Sequence, residues 1–362
     1  AHQRGADSNT VVSPLSAGLA LALVANGARD ATFHALAGTL GAASFDADAL
    51  AARDSVLLSS LSARHDVTLE VANALWMSPK YHAQPTYLDK AGRAYLSSVR
   101  TIALDSASGI AVINAWVNDK THGRIATILD APLSDTTALV ITNAVYFHGL
   151  WLSAFDRAIT RPLAYHRRPG VTDSVPAMER TTNLLYLKGA GMQAVRLPYR
   201  GGRAALFVLL PDSGVSVDEL ESRLARDGWP HQLSAYHSHD VHLRLPRVHA
   251  EATVDLKGPL KALGSAIAFD CARADFRALL ILGAEQNACI DKATQKTYLD
   301  IDEEGTEAAA VTATTTLVST GVVVPPPPIE FIVDRPFLFV LRDEVSGAPL
   351  FMGRIVLPGV KR

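Results

Sequence analysis

Cysteine is scarce: Cys271 and Cys289 are the only two in 362 residues. That excludes a disulfide-dense scaffold and leaves their pairing open, with two free buried thiols as the default expectation. No apolar run is long enough to cross a bilayer, and no signal peptide opens the sequence. No Asn-x-Ser/Thr glycosylation acceptor occurs. Charge of either sign is not in excess: 34 Lys and Arg stand against 36 Asp and Glu, for a net charge of -2. Such a balance gives no electrostatic footprint for nucleic acid or an anionic membrane. Catalytic signatures are missing too, with no G-x-S-x-G, no H-E-x-x-H, no P-loop and no dinucleotide fingerprint. A hydrolase would have no residues to carry its chemistry.

What remains is enough for a large core. Hydrophobic residues make up 48% and charged residues 19% of the chain, the balance of a globular protein. Length alone suggests two domains, but no Pro/Gly/Ser-rich linker or shift of composition divides the middle. One domain over residues 1–362 is therefore expected.

Ser13-Pro14 reads as a helix start, with Ser13 capping free amides and Pro14 tolerated in the first turn. The following LSAGLALALVANGA is apolar nearly all round until Asn26-Gly27, so this helix should be buried. Further helices are expected at Asp30 to Leu40, Ala47 to Leu61 and Tyr81 to Leu96, and a strand at Val71 to Met77. Ile113, Trp116, Val117 and Ile125 fall at helical spacing and form one apolar stripe. Thr136 to Trp151 is the strongest buried-strand signal, apolar on both faces. Within it Asn143 is the anomaly, because a buried amide needs partners: it is either a satisfied core residue or a fastener between strands. The stretch from Met192 to Gly214 reads as two strands about the turn Tyr199 to Gly202, and Pro336 to Pro358 as two strands around Val345 to Ala348. His237 and His239 share a strand face beside Asp240 and His242. A metal site there is the minor reading, and exposed histidines at a strand start the major one.

The most unusual stretch is EEGTEAAAVTATTTLVSTGVVVPPPP, from Glu303 to Pro328. Thr306 to Val324 is small or β-branched, strongly strand-prone, and carries one charge, Glu307. At a period of two, Thr306, Ala308, Ala310, Thr312, Thr314, Thr316 and Val318 form one small uncharged face. As a strand, 306–319 would extend about 45 Å at about 3.3 Å per residue, long enough to complete a large sheet. Pro325 to Pro328 cannot donate to a ladder and must end it. Two readings stay open: a long edge strand, or a segment held out as a loop and used later. An exposed apolar edge of this length would be an aggregation hazard.

EEGTEAAAVTA followed by FIVDRPFLFVLRDEVSGAPLFMGRIVLP resembles the hinge, reactive loop and C-terminal strands of the serpin family. NTVVSPLS, TTALVITNAVYFHGLW and ADF follow in the same family order, so the resemblance covers nearly the whole chain. It implies an α+β serpin fold with large mixed and antiparallel β-sheets, about eight or nine helices and an exposed reactive loop over about 303–328. It further implies a serine protease inhibitor that acts as a suicide substrate: a serine endopeptidase acylates itself on the loop, which inserts as a strand and traps the covalent complex. Such a native form is metastable. By the same resemblance Glu303, Glu304, Gly305, Thr306, Glu307, Ala308, Ala309 and Ala310 are the hinge. Asn9, Ser13, Ser16 and Asn143 lie at the shutter where the sheet parts, and Trp151 lies at the breach where the loop enters. Phe155 completes that motif.

Gln295 stands where the family carries a shutter histidine, so a pH switch tied to that histidine is not expected. With only AHQRGADS before Asn9, the family's N-terminal helix is expected to be cut short. The region FDADALAARDSVLLSSLSARHD, which in some members is basic, offsets its Arg with Asp, so no heparin cofactor is expected. The alternative within the family is a non-inhibitory carrier or chaperone, but those usually depart from a small-residue hinge.

Counting seventeen residues with Glu303 first, the family's usual spacing, makes Ser319-Thr320 the scissile bond, with Leu317 and Val318 just before it. Counting back from the C-terminal strands lands near Pro325, so the loop is about six residues longer than usual. The hinge-side count is preferred, because it sets insertion depth and a bond to proline is a poor substrate. No Lys or Arg occurs from Gly305 to Ile329, which disfavours trypsin-like targets and favours elastase-, chymotrypsin- or subtilisin-like ones. A monomer without cofactor, secreted or extracellular, is the expectation. Heavy use of Arg and Ala over Lys fits a GC-rich bacterial genome.

Overall fold

In the computed structural model, residues 8–62, 67–230, 232–283, 286–306 and 326–359 are described. The expectations for Glu307, Ala308, Ala309, Ala310, Leu317, Val318, Ser319 and Thr320 lie outside these residues. The chain divides into two compact units interleaved in sequence, one of Ala1–Val11, Phe147–Ala250 and Leu299–Arg362, the other of Val12–Tyr146 and Glu251–Tyr298.

The second unit holds six of the seven α-helices among the described residues, near the eight or nine expected. Helix Pro14–Ala25 starts as its sequence predicts: the Ser13 side chain accepts from the Ser16 amide, and Pro14 occupies the first turn. It carries no polar stripe, and its last seven residues are buried against Leu36, Leu50, Leu75, Tyr87 and Leu139. Helix Pro85–Tyr95 is shorter than the expected Tyr81 to Leu96. Pro85 has no amide to extend it backwards, and His82–Ala83 instead pair with Leu280–Ile281 as a two-stranded sheet. Helix Ala107–Lys120 buries Ile113, Trp116 and Val117, with the Trp116 ring edge-on to Trp76 at 5.6 Å. Ile125 of the same stripe is buried beyond the helix end.

Cys271 and Cys289 are not free thiols: they form a disulfide, with Cα atoms 4.6 Å apart. The intervening excursion returns on itself, bringing the exposed Cys271 to the buried Cys289. Nothing in the spacing of two cysteines could register that return.

A six-stranded sheet runs in the order Val248–Asp255, Ile290–Ile301, Gly305–Thr306, Leu139–Leu150, Val67–Met77, Ser98–Thr101. Strand Leu139–Leu150 is buried at nine of its twelve positions, as its doubly apolar sequence requires. It pairs in parallel with Ile290–Ile301, from Leu139 opposite Ile290 to Val145 opposite Thr297.

The first unit is built on a nine-stranded sheet. Its order is Thr10–Val12, Pro349–Ile355, Phe337–Asp343, Ala204–Pro211, Met192–Pro198, Val171–Gly189, His237–Pro246, Ile329–Ile332, with Arg161–Arg168 also on Val171–Gly189. The two expected hairpins are present, Met192–Pro198 with Ala204–Pro211 and Phe337–Asp343 with Pro349–Ile355. Helix Val217–Asp227 places Val217 and Leu220 in a core with Phe207, Leu209 and Val340. No helix among the described residues is long and apolar enough to cross a membrane.

Candidate functional site: a hinge between two strands

Strand Ile290–Ile301 ends in a tight reversal. The Asp302 carboxylate accepts the amides of Glu304 at 2.9 Å and Gly305 at 3.3 Å, and the Asp302 amide donates to the Gly305 carbonyl at 2.9 Å. The returning chain then pairs on both sides, Thr306 opposite Ile301 and opposite Gly149, and Gly305 opposite Leu150. A Cβ at position 305 would lie 2.0 Å from the Gly149 carbonyl oxygen, so only glycine permits this approach.

Three buried side chains, Trp151, Tyr199 and Glu303, fix the reversal. Trp151 donates through its indole nitrogen to the Asp302 carbonyl and through its amide to the Glu304 carbonyl, both at 2.9 Å. Its ring stacks on Tyr199 with centroids 4.5 Å apart and meets Phe155 edge-on. The Tyr199 hydroxyl is hydrogen-bonded to Thr306 Oγ1 at 2.6 Å. Burial pushes the Tyr199 phenol well above its ordinary value, so it is a neutral hydroxyl. Glu303, 1% exposed, receives a two-pronged ion pair from Arg247, with contacts of 2.7 to 3.1 Å, and the Thr160 hydroxyl at 2.5 Å. Burial pushes the Glu303 carboxyl up, but the Arg247 and Thr160 hydrogen bonds outweigh it and hold the group below its ordinary value. Glu304 pairs with Arg157 at 2.8 Å.

A second cluster lies where the two parallel strands are in direct register. Gln295 stands opposite Asn143, and its Nε2 donates to Asn143 Oδ1 at 2.6 Å and to the Ser13 carbonyl at 3.0 Å. Gln295 Oε1 accepts the Ser13 amide at 2.8 Å. Asn143 Nδ2 donates to Ser16 Oγ and to Asn73 Oδ1. None of these five residues is more than 5% exposed, so the amides are paired with one another and with the start of helix Pro14–Ala25 instead of with water.

Ser13, Ser16, Asn143 and Gln295 are thus brought together, and Glu303, Glu304, Gly305, Thr306 and Trp151 cluster at the reversal. Asn9 is joined elsewhere: its side chain accepts the amides of Val356 and Leu357 and donates to the Leu357 carbonyl at 2.8 Å. Sequence reasoning missed Asn73, Thr160, Tyr199 and Arg247. Asn73 left the same signal as Asn143, an amide inside an apolar strand; the other three left none. His237 and His239 are exposed and belong to no metal-ligating group among the described residues. Both ring nitrogens of His242 are taken by Glu330, at 2.7 Å, and Glu179, at 3.2 Å.

A nine-stranded and a six-stranded sheet, Gly305–Thr306 paired within the latter beside Trp151, and the bonded amides of Asn143 and Gln295 on its strands are features to set beside known proteins. The serpin family model, described as serine protease inhibitor, matches residues 1–358, and the chain belongs to that family. An uncharacterized serpin-like protein of Thermococcus kodakarensis is 33% identical, the match covering 98% of this chain and 82% of that protein. Iripin-8 of Ixodes ricinus is 30% identical, covering 96% of this chain and 88% of its own length. The crystal structure of Serpin48 from Tenebrio molitor superposes with a TM-score of 0.86 at 29% identity, covering 97% of this chain and 92% of that one. Members of this family are typically inhibitors of serine proteases rather than enzymes.

Proposed function

We propose that this chain is an inhibitory serpin whose loop is consumed by its target. The reading rests on one observation: Gly305 and Thr306 already lie as the first two residues of a strand between Ile290–Ile301 and Leu139–Leu150. Beyond them the same two strands are closed on each other, from Thr297 and Val145 to Ile290 and Leu139. Insertion is therefore started and stopped, and continuing it exchanges the direct pairing for two new ladders.

The inner face of the segment to follow, Ala308, Ala310, Thr312 and Thr314, is small enough to enter without displacing the core. About a dozen further ladder hydrogen bonds, at about 1 kcal/mol net each, supply on the order of 10 kcal/mol for distorting a trapped acyl-enzyme. The native form is held by kinetics rather than by depth of free energy. Ser319-Thr320 is the bond offered, and a serine endopeptidase with a small or apolar specificity pocket is the partner. The protein acts as a monomer outside the cell, without heparin.

Incubation with an elastase- or subtilisin-like protease should yield an adduct that survives SDS, and mass spectrometry of the released fragment should place the cut at Ser319-Thr320. Thr306→Arg drives a cation against the buried Tyr199 hydroxyl and should turn the inhibitor into a substrate. Undiminished inhibition by that variant, or cleavage without any adduct in the parent, would favour a carrier or chaperone.

A further inference from the structure

A site away from the hinge is left unused by this reading. Cys271 Sγ, Cys289 Sγ and a carboxylate oxygen of Asp291 lie within 4.8 Å of one another, the only such group of three ligand-bearing side chains among the described residues. Asp291 sits at a shift of register between Ile290 and Lys292. Its Oδ2 accepts the amides of Ala138 at 2.7 Å and Leu139 at 3.3 Å, so Oδ1 is the oxygen left for another partner. Cys271 is exposed and within reach of a reductant, whereas Cys289 is 2% exposed and held at the start of strand Ile290–Ile301.

We propose that Cys271, Cys289 and Asp291 form a redox-gated site for a thiophilic divalent cation, with Zn²⁺ as the best fit. In the oxidised protein both sulfurs are spent in the disulfide. A dithiol reductant opens it by exchange, giving two protein thiols and leaving with its own sulfurs joined as a disulfide. The two thiols then release two protons as their thiolates bind the metal. Thiolates select Zn²⁺ over Mg²⁺ or Ca²⁺, which prefer oxygen donors. Two thiolates and one carboxylate supply three positions of a tetrahedron, and water supplies the fourth. With Oδ1 on the metal and Oδ2 on the amides, the cation links the Cys271 turn to the foot of Leu139–Leu150. It thereby replaces the cross-link that reduction removes.

This inference does not depend on inhibition, and its test is spectroscopic. The full chain is reduced with a phosphine, which becomes the phosphine oxide by taking oxygen from water, and is then desalted without air and titrated with Co²⁺. A thiolate-to-cobalt charge-transfer band saturating at one equivalent, lost on adding Zn²⁺, is expected. The oxidised protein and the Cys271→Ser variant, altered at an exposed position, should show no band. Asp291→Asn should keep both thiols but bind Zn²⁺ about tenfold or more weakly, and Zn²⁺ should raise the Tm of the reduced parent but not of Cys271→Ser. Absence of the band in the reduced parent, its persistence in the oxidised protein or in Cys271→Ser, or unchanged affinity in Asp291→Asn overturns the assignment.

Discussion

Glu303 shows how much of the reversal after strand Ile290–Ile301 depends on single groups. Its carboxylate is buried, and the charge is acceptable there only because Arg247 and Thr160 meet it. Its folded pKa lies below the ordinary 4.5, so the stability it contributes is present above that value and is lost as the pH falls through the folded one. Thermal melts from neutral pH down to about pH 3 should register this loss, and Glu303→Gln should flatten it while costing about 2 kcal/mol at pH 7. A parent and variant with parallel pH profiles would refute the linkage. Gln295 is the corresponding residue between the closed strands. Gln295→Ala strips partners from the Ser13 amide, the Ser13 carbonyl and Asn143 Oδ1, and a drop of about 3 kcal/mol is expected from denaturant midpoints.

Among the elements, the short strand Ile329–Ile332 lies at the edge of its sheet. It pairs on one side only, in parallel with His237–Pro246. His242 reinforces that pairing, donating between Glu330 on the short strand and Glu179 on Val171–Gly189, while Arg244 also faces Glu179 at 3.4 Å. The hydrogen bond to Glu330 raises the His242 pKa above its ordinary 6.5, so this contribution is present at lower pH and is lost as the pH rises through the folded value. Amides of residues 329–332 should exchange faster relative to the rest of the sheet at pH 8.5 than at pH 6, after correction for intrinsic rates, and Glu330→Gln should abolish the difference. The short strand Gly305–Thr306 is an element whose place depends on one missing side chain. Gly305→Ala puts a methyl group against the Gly149 carbonyl, and hydrogen exchange should report lost protection at the Trp151 and Phe155 amides, which donate to Glu304 and Glu303.

For the whole molecule, the strongest consequence of a half-started strand is that cutting the loop should stabilise the protein. Nicking between Thr316 and Val324 frees the segment to continue from Thr306, and the Tm should rise by tens of degrees, as addition of a full central strand requires. An unchanged Tm would mean that the strands stay closed.

Much of this architecture is written locally. The buried start at Ser13-Pro14, the doubly apolar strand around Asn143 and the two hairpins each follow from propensity, capping and periodicity over a few residues, and with the small-residue run after Glu303 they carried the family resemblance. What the sequence could not decide were matters of distance in the chain. Asn143 called for partners, but only the tertiary structure named Gln295, Ser16 and Asn73. Glu303 drew attention by its motif, yet its burial against Arg247 and Thr160 has no local signature. The disulfide went against expectation because an 18-residue separation says nothing about whether the chain turns back. Local pattern determines which segments become helix or strand and which faces seek burial. Which polar groups meet inside is decided when remote segments are packed together, because a desolvated amide or carboxylate must take whatever partner the fold brings to it.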